Sequence, residues 1–118
     1  MTTITIANKL VELLREKKIL EAQQQLFATD AINQEPDLYK EKSVVGLEAM
    51  IQKEKRFLLY IKKWNHFEVS EPLVSAHHFS IRMITDVTMV NNDNITIDEI
   101  IIYEVSDGKI IKEQFFYH

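Results

Sequence analysis

The chain has 118 residues, of which 46% are hydrophobic and 27% charged, and its formal net charge is −4. That composition suits one domain with a buried core, is too apolar for a disordered segment, and carries the wrong sign for a protein that tracks nucleic-acid phosphates. With no cysteine, disulfides, thiolate nucleophiles and cysteine-ligated zinc are excluded.

Residues 3–28 read as helix. Ile6, Leu10, Leu13 and Leu14 recur at the i, i+4, i+7, i+8 spacing of one buried stripe. Thr3 or Thr5 is the expected cap, and the Lys17-Lys18 pair suits a helix C-terminus, where cations meet the negative end of the dipole. A second short helix is expected over Glu21–Ala28, then a short strand over Asp30–Pro36 ended by Pro36-Asp37. Gly46 opens a long helix to about Trp64, with Leu47, Met50, Ile51, Phe57, Leu58, Ile61 and Trp64 as an apolar arc. Glu54 sits inside that arc, where pairing with a lysine at its edge would neutralise it. From His66 on, β-branched residues dominate and turn signals recur at Glu71-Pro72, Asn91-Asn92-Asp93-Asn94 and Ser106-Asp107-Gly108-Lys109. Four strands are predicted near 66–74, 77–90, 95–105 and 109–117. Helices first and a meander second define an α+β fold, N-terminal helices packed on a curved antiparallel sheet, as one domain over 1–118.

The turns predict the register. A two-residue Asn92-Asp93 loop places Asp86 opposite Glu99 and Arg82 opposite Tyr103. A three-residue Ser106-Asp107-Gly108 loop places Tyr103 opposite Ile111 and Glu99 opposite Phe115. A two-residue Asp107-Gly108 loop instead slips the last strand by one and exchanges Glu113 and Phe115 with Gln114 and Phe116. With the first option, one face carries Arg82, Asp86, Glu99, Tyr103, Glu113, Phe115 and Tyr117. Both sheet faces are substantially apolar, which predicts helices on one and a second copy of the chain on the other: a homodimer through the outer sheet face. No secretory leader pattern and no apolar run of spanning length is present, so the expectation is a cytoplasmic protein without membrane or nucleic-acid partners.

Gly46-Leu47-Glu48-Ala49-Met50, Ser70-Glu71-Pro72, Asp86-Val87-Thr88, the run from Asp98 to Ile110 and Glu113-Gln114-Phe115-Phe116-Tyr117 together resemble the SnoaL-like branch of the nuclear-transport-factor-two-like superfamily. The resemblance implies a cone-shaped fold around an internal pocket, commonly dimeric, in a superfamily that includes ketosteroid isomerases, polyketide cyclases, dehydratases and epoxide hydrolases as well as non-catalytic binding domains. Isomerase chemistry does not carry over: the first helix has no tyrosine, and Ile101 stands where a second carboxyl is needed. A SnoaL-like cyclase needs only an acidic general acid or base in an apolar pocket.

The candidate catalytic pair is Asp86 and Glu99, since two facing carboxylates in a partly apolar cavity raise one pKa toward neutrality. Arg82, Tyr103 and Glu113 are expected to orient a ligand or tune the pair. Phe115, Tyr117 and Trp64 supply flat surfaces for it, and His78 shares the face of Asp86 and Glu99. No metal site is expected, because His77 and His78 point to opposite faces and no helical His-x-x-x-His spacing exists. No phosphate-binding glycine loop and no organic cofactor are implied. The expected partner is a largely apolar small molecule, with a non-catalytic binding or dimerisation module as the rival reading.

Overall fold

A computed structural model describes residues 1–118. Three helices, α1 (Thr3–Arg15), α2 (Ile19–Leu26) and α3 (Leu47–Leu59), accompany seven strands. The strands are β1 (Phe27–Gln34), β2 (Val44–Val45), β3 (Ile61–Val69), β4 (Leu73–Val74), β5 (His78–Met89), β6 (Asn94–Ser106) and β7 (Lys109–Phe116). They form one sheet in the order β2-β1-β7-β6-β5-β3, with β4 paired to β5. All pairings are antiparallel except β1 with β7, so the sheet is mixed where a purely antiparallel one was expected. The α+β class and the helix-covered inner face agree with the sequence reading.

The α1 stripe lies where its spacing puts it, with Ile6, Leu10, Leu13 and Leu14 all buried. They pack with Leu26, Phe27, Ile81, Ile101 and Ile110 into one core. Burying each such side chain contributes about 1.5–3 kcal/mol, which outweighs the modest propensity of a helix that begins Thr-Ile-Thr-Ile. The cap is Thr2, whose hydroxyl accepts from the Thr5 amide at 3.3 Å. The helix ends before Lys17, which takes a left-handed φ of 59°.

Three local differences carry the consequences for the site. First, α3 stops at Leu59, and Trp64 lies in a strand. Ile61, Trp64 and Phe67 recur every third residue, which reads as helical, but β3 carries register shifts between Ile61 and Lys63 and between Trp64 and His66. Each bulge adds a residue to the repeat and keeps the three apolar side chains on one face.

Second, the β5–β6 hairpin closes through Val90-Asn91-Asn92, with Asn92 at φ 73° and the Met89 amide donating to the Asp93 carbonyl at 2.8 Å. Asn92, rather than a glycine, supplies the left-handed residue of a three-residue hairpin loop. The strands therefore slip by three positions relative to the two-residue reading, and an odd slip turns β5 over. Asp86 pairs with Thr96, and Glu99 pairs with Met83.

Third, the last turn is the two-residue Asp107-Gly108 loop, with φ values of 50° and 73°. A bulge at Ile111 follows, between the Val105–Ile110 and Glu104–Lys112 pairs. The bulge cancels the one-residue slip, so Glu113 and Phe115 keep the face of Tyr103 and Glu99. Their partners change: Tyr103 opposes Glu113, and Ile101 opposes Phe115.

Candidate active site

The inner face of β6 presents Glu99, Ile101 and Tyr103 in alternation, all buried. The helices close over this face and leave a cavity of about 550 Å³. Its walls are mainly apolar, with 18 hydrophobic residues among the 29 that line it. Leu10 and Leu14 come from α1, Met50 and Phe57 from α3, and Trp64 and Phe67 from β3, where the two rings meet edge-on at 5.3 Å.

Four carboxyls open into this cavity: Glu35, Glu54, Glu99 and Glu113. One hydrogen-bonded chain organises two of them. The Lys53 ammonium on α3 donates to Glu35 Oε1 at 2.8 Å and to Asn33 Oδ1 at 2.6 Å. Asn33 on β1 donates through Nδ2 to Glu113 Oε1 at 2.6 Å, and the Tyr117 hydroxyl donates to Glu35 Oε2 at 2.6 Å. The Tyr117 ring stacks on Tyr39 at 5.6 Å, and Lys42 lies over Tyr39 at the rim. A buried polar network of this kind is stable only when its members are paired, and both ends of the Asn33 amide are used.

Glu99 lies outside that network. It is 6% exposed, and no hydrogen bond from the protein reaches its carboxyl. Burial, with the nearby charges of Glu35 and Glu113 adding to it, pushes its carboxyl up to about 8. Burial also raises Glu113 to about 7, although the Asn33 hydrogen bond pulls the other way. Half-buried Glu54 is raised to about 7 by desolvation against the opposing pull of Lys53. Tyr103 is driven well above its ordinary value by burial and by Glu113 and Glu99, so its phenol keeps its proton. A carboxyl poised near 8 holds a proton at neutral pH and exchanges it readily, the property general acid or base work requires.

Of the residues singled out in the sequence, Glu99, Tyr103, Glu113, Phe115, Tyr117 and Trp64 line the cavity. Asp86, Arg82 and His78 do not. The overturned β5 puts Asp86 on the outer face, where Asn65 and Asn94 donate to its Oδ1 at 3.3 and 3.2 Å. Its pairing with Glu99 does not exist, and no charge repulsion links the two across a ladder. Arg82 forms a bidentate pair with Asp98 at 2.9 and 2.7 Å on the same outer face. That hydrogen-bonded ion pair holds the Asp98 carboxyl below its usual range. His78 sits outside with its Nε2 3.5 Å from Glu104. No group of three or more His, Asp or Glu side chains is placed to hold a metal ion. Glu35, Lys53 and Asn33 were not anticipated, because their meeting depends on how α3 crosses β1. The only advance signal was Glu54, a carboxylate inside an apolar arc.

The SnoaL-like domain family matches residues 1–117, and the chain belongs to that family. Among solved structures it is similar to a Mesorhizobium loti protein carrying the provisional name SnoaL-like polyketide cyclase, with 30% identity, a TM-score of 0.90, and coverage of 99% of this chain and 100% of that one. An NTF2-like protein of Burkholderia thailandensis shares the fold at 11% identity and a TM-score of 0.82, covering 100% of this chain and 92% of that one. TerC, crystallised with polyporic acid, does so at 12% identity and a TM-score of 0.76, covering 98% and 91%. No curated protein sequence matches the chain. No helix is long and apolar enough to cross a membrane.

Proposed function

We propose that this protein is a small-molecule enzyme of the cyclase or isomerase kind, which binds a compact, largely apolar ligand in its cavity and uses Glu99 as the proton-transfer group. The observation that carries the reading is a buried carboxyl without a protein partner, facing an apolar cavity of ligand size. Tyr103 and Glu113, neighbours on the same face, supply a neutral hydroxyl and a second titrating carboxyl beside it. The apolar body of the ligand would rest against Trp64, Phe67 and Phe115. Family neighbours named as polyketide cyclases, and TerC with its bound polyporic acid, are consistent with cyclic organic substrates.

The test compares Glu99→Gln with Asp86→Asn against a panel of cyclic ketones, lactones and quinones. Glu99→Gln is expected to keep ligand-induced thermal shifts and to lower turnover of any converted compound by about 100-fold or more, the usual contribution of a general acid or base. Asp86→Asn is expected to change neither. Loss of turnover in Asp86→Asn with full activity in Glu99→Gln refutes the assignment.

A non-catalytic association role has its own support on the outer face. Ile100, Ile102, Phe116 and Ile32 share that face and are 44%, 38%, 45% and 39% exposed. We propose a homodimer built on this patch. Sedimentation should give a dimer that Phe116→Glu converts to monomer, and a wild-type monomer at 100 µM (order of magnitude, above the weak end of specific dimers) contradicts it.

A further inference from the structure

The cavity has a closed end and an open one. Its lining residues from α1, α2 and the middle of β6, among them Leu10, Ala22 and Ile101, are buried. The lining residues exposed to solvent are Lys42, Ile95, Thr96 and His118. The mouth therefore lies where the start of β6, the C-terminus and the chain between β1 and β2 meet. That chain, Asp37–Lys42, makes short 3₁₀ turns broken at Tyr39 (φ −123°, ψ 26°), and none of its residues is buried. Its hydrogen bonds are local: the Tyr39 amide donates to the Pro36 carbonyl at 2.8 Å, and the Ser43 amide to the Lys40 carbonyl at 2.9 Å. No side-chain hydrogen bond or ion pair joins residues 37–42 to the rest of the protein. The tie to the body is the Tyr39 ring, stacked on Tyr117 at 5.6 Å with the planes 15° apart. Tyr117 is itself held, its hydroxyl donating to Glu35 Oε2 at 2.6 Å. The two ends of the segment are pinned together as well. The Glu35 amide donates to Ser43 Oγ at 2.8 Å, and β1 pairs with β2 at Ile32–Val45 and Asn33–Val44. A fixed neck and an untied body are the build of a compact surface loop that moves as a unit.

We propose that residues 37–42 form a strap that swings about Pro36 and Ser43 to open and shut the cavity mouth, with the Tyr39–Tyr117 stack as its latch. This rests on the reading of the cavity as the ligand site and adds how that site is entered. Pro36 (ψ 154°) and Ser43 (ψ 143°) are extended residues just outside the turns, where a change in backbone angle carries the segment with it. A single stacked pair shifts an equilibrium by about two- to tenfold, enough to keep the strap shut most of the time and too little to lock it. Shut, the strap lays the Tyr39 ring against the mouth and keeps water from a ligand held beside Glu99. Open, it frees a path past Tyr117 while the sheet and α3 stay in place.

The chain has no cysteine, so one thiol placed inside the cavity reports opening without knowledge of the ligand. Thr85→Cys supplies it on β5, at a residue 4% exposed that lines the cavity. Its labelling by dithiodipyridine, a neutral aromatic disulfide, is timed by the absorbance of the released thiopyridone. The measurement is made in Thr85→Cys alone and combined with Tyr39→Ala or Tyr117→Phe, and the unfolding rate of each protein is taken from urea jumps. Thr85→Cys is expected to label more slowly than a free thiol and faster than the protein unfolds. Tyr39→Ala should speed labelling by on the order of tenfold, beyond any change in unfolding rate. Tyr117→Phe, which keeps the ring but frees it from Glu35, should speed it by less. Equal labelling rates in the three proteins, all faster than unfolding, overturn the strap and leave the cavity standing. Labelling at the unfolding rate in all three means that no path leads from solvent to the cavity, and overturns both.

Discussion

Replacing Glu99 with glutamine is expected to stabilise the protein at pH 8.5 and to leave it nearly unchanged at pH 4. The wild-type carboxyl is raised from 4.5 to about 8 in the folded state. Below pH 4.5 both folded and unfolded chains hold the proton, and its titration contributes nothing to the difference. Between 4.5 and 8 the folded chain keeps a proton that the unfolded chain has released, so stability falls as pH rises, and the loss is complete above 8. At 6% exposure, solvent does little to screen the effect. A shift of this size corresponds to a few kcal/mol, and about 3 kcal/mol would appear as a rise of on the order of 10 °C in the Tm of Glu99→Gln at pH 8.5. Glu113 and Glu54, both raised to about 7, act with the same sign and leave a residual slope in the variant. Thermal melts of both proteins from pH 4 to 9 read the effect directly. Equal slopes in the two would mean that Glu99 is not the buried titrating group.

Lys53→Met is expected to be the most damaging change at the site, costing about 3–5 kcal/mol, the usual penalty for removing one partner of a buried ion pair. Lys53 joins Glu35 to Asn33 and, through Asn33, supports Glu113. Its ammonium also pulls the Glu54 and Glu113 carboxyls down from where burial would leave them. Without it both carboxyls bind their protons more tightly, so the loss should be larger at pH 8 than at pH 5. Urea unfolding at the two pH values measures this. A cost below about 1 kcal/mol, the range of exposed pairs, would show that the network is solvated rather than buried.

The parts of the fold set by local chemistry were legible in the sequence. The α1 stripe, the β-branched second half and the turn residues all placed their elements within a few positions. Glu99, Tyr103, Glu113 and Phe115 were assigned a common face, and they share it. That agreement rests on the two-residue Asp107-Gly108 turn and the Ile111 bulge cancelling, which alternation alone does not reveal. Asp86 failed on one loop. Asn91-Asn92-Asp93-Asn94 admits two- and three-residue loops because asparagine tolerates left-handed backbone nearly as readily as glycine. Choosing between them moves every side chain of β5 to the other surface. The Glu35–Lys53–Asn33–Glu113 chain was out of reach for a different reason: its members come from β1 and the residue just after it, from α3 and from β7, and only tertiary packing brings them together.

The most direct test of this account is the carboxyl titration of Glu99 itself. In protein labelled with ¹³C at glutamate Cδ, the resonance missing from Glu99→Gln should move with a midpoint near 8. A midpoint near 4.5, the value of a freely hydrated glutamate, would place that carboxyl in water and remove the basis for the proposed chemistry.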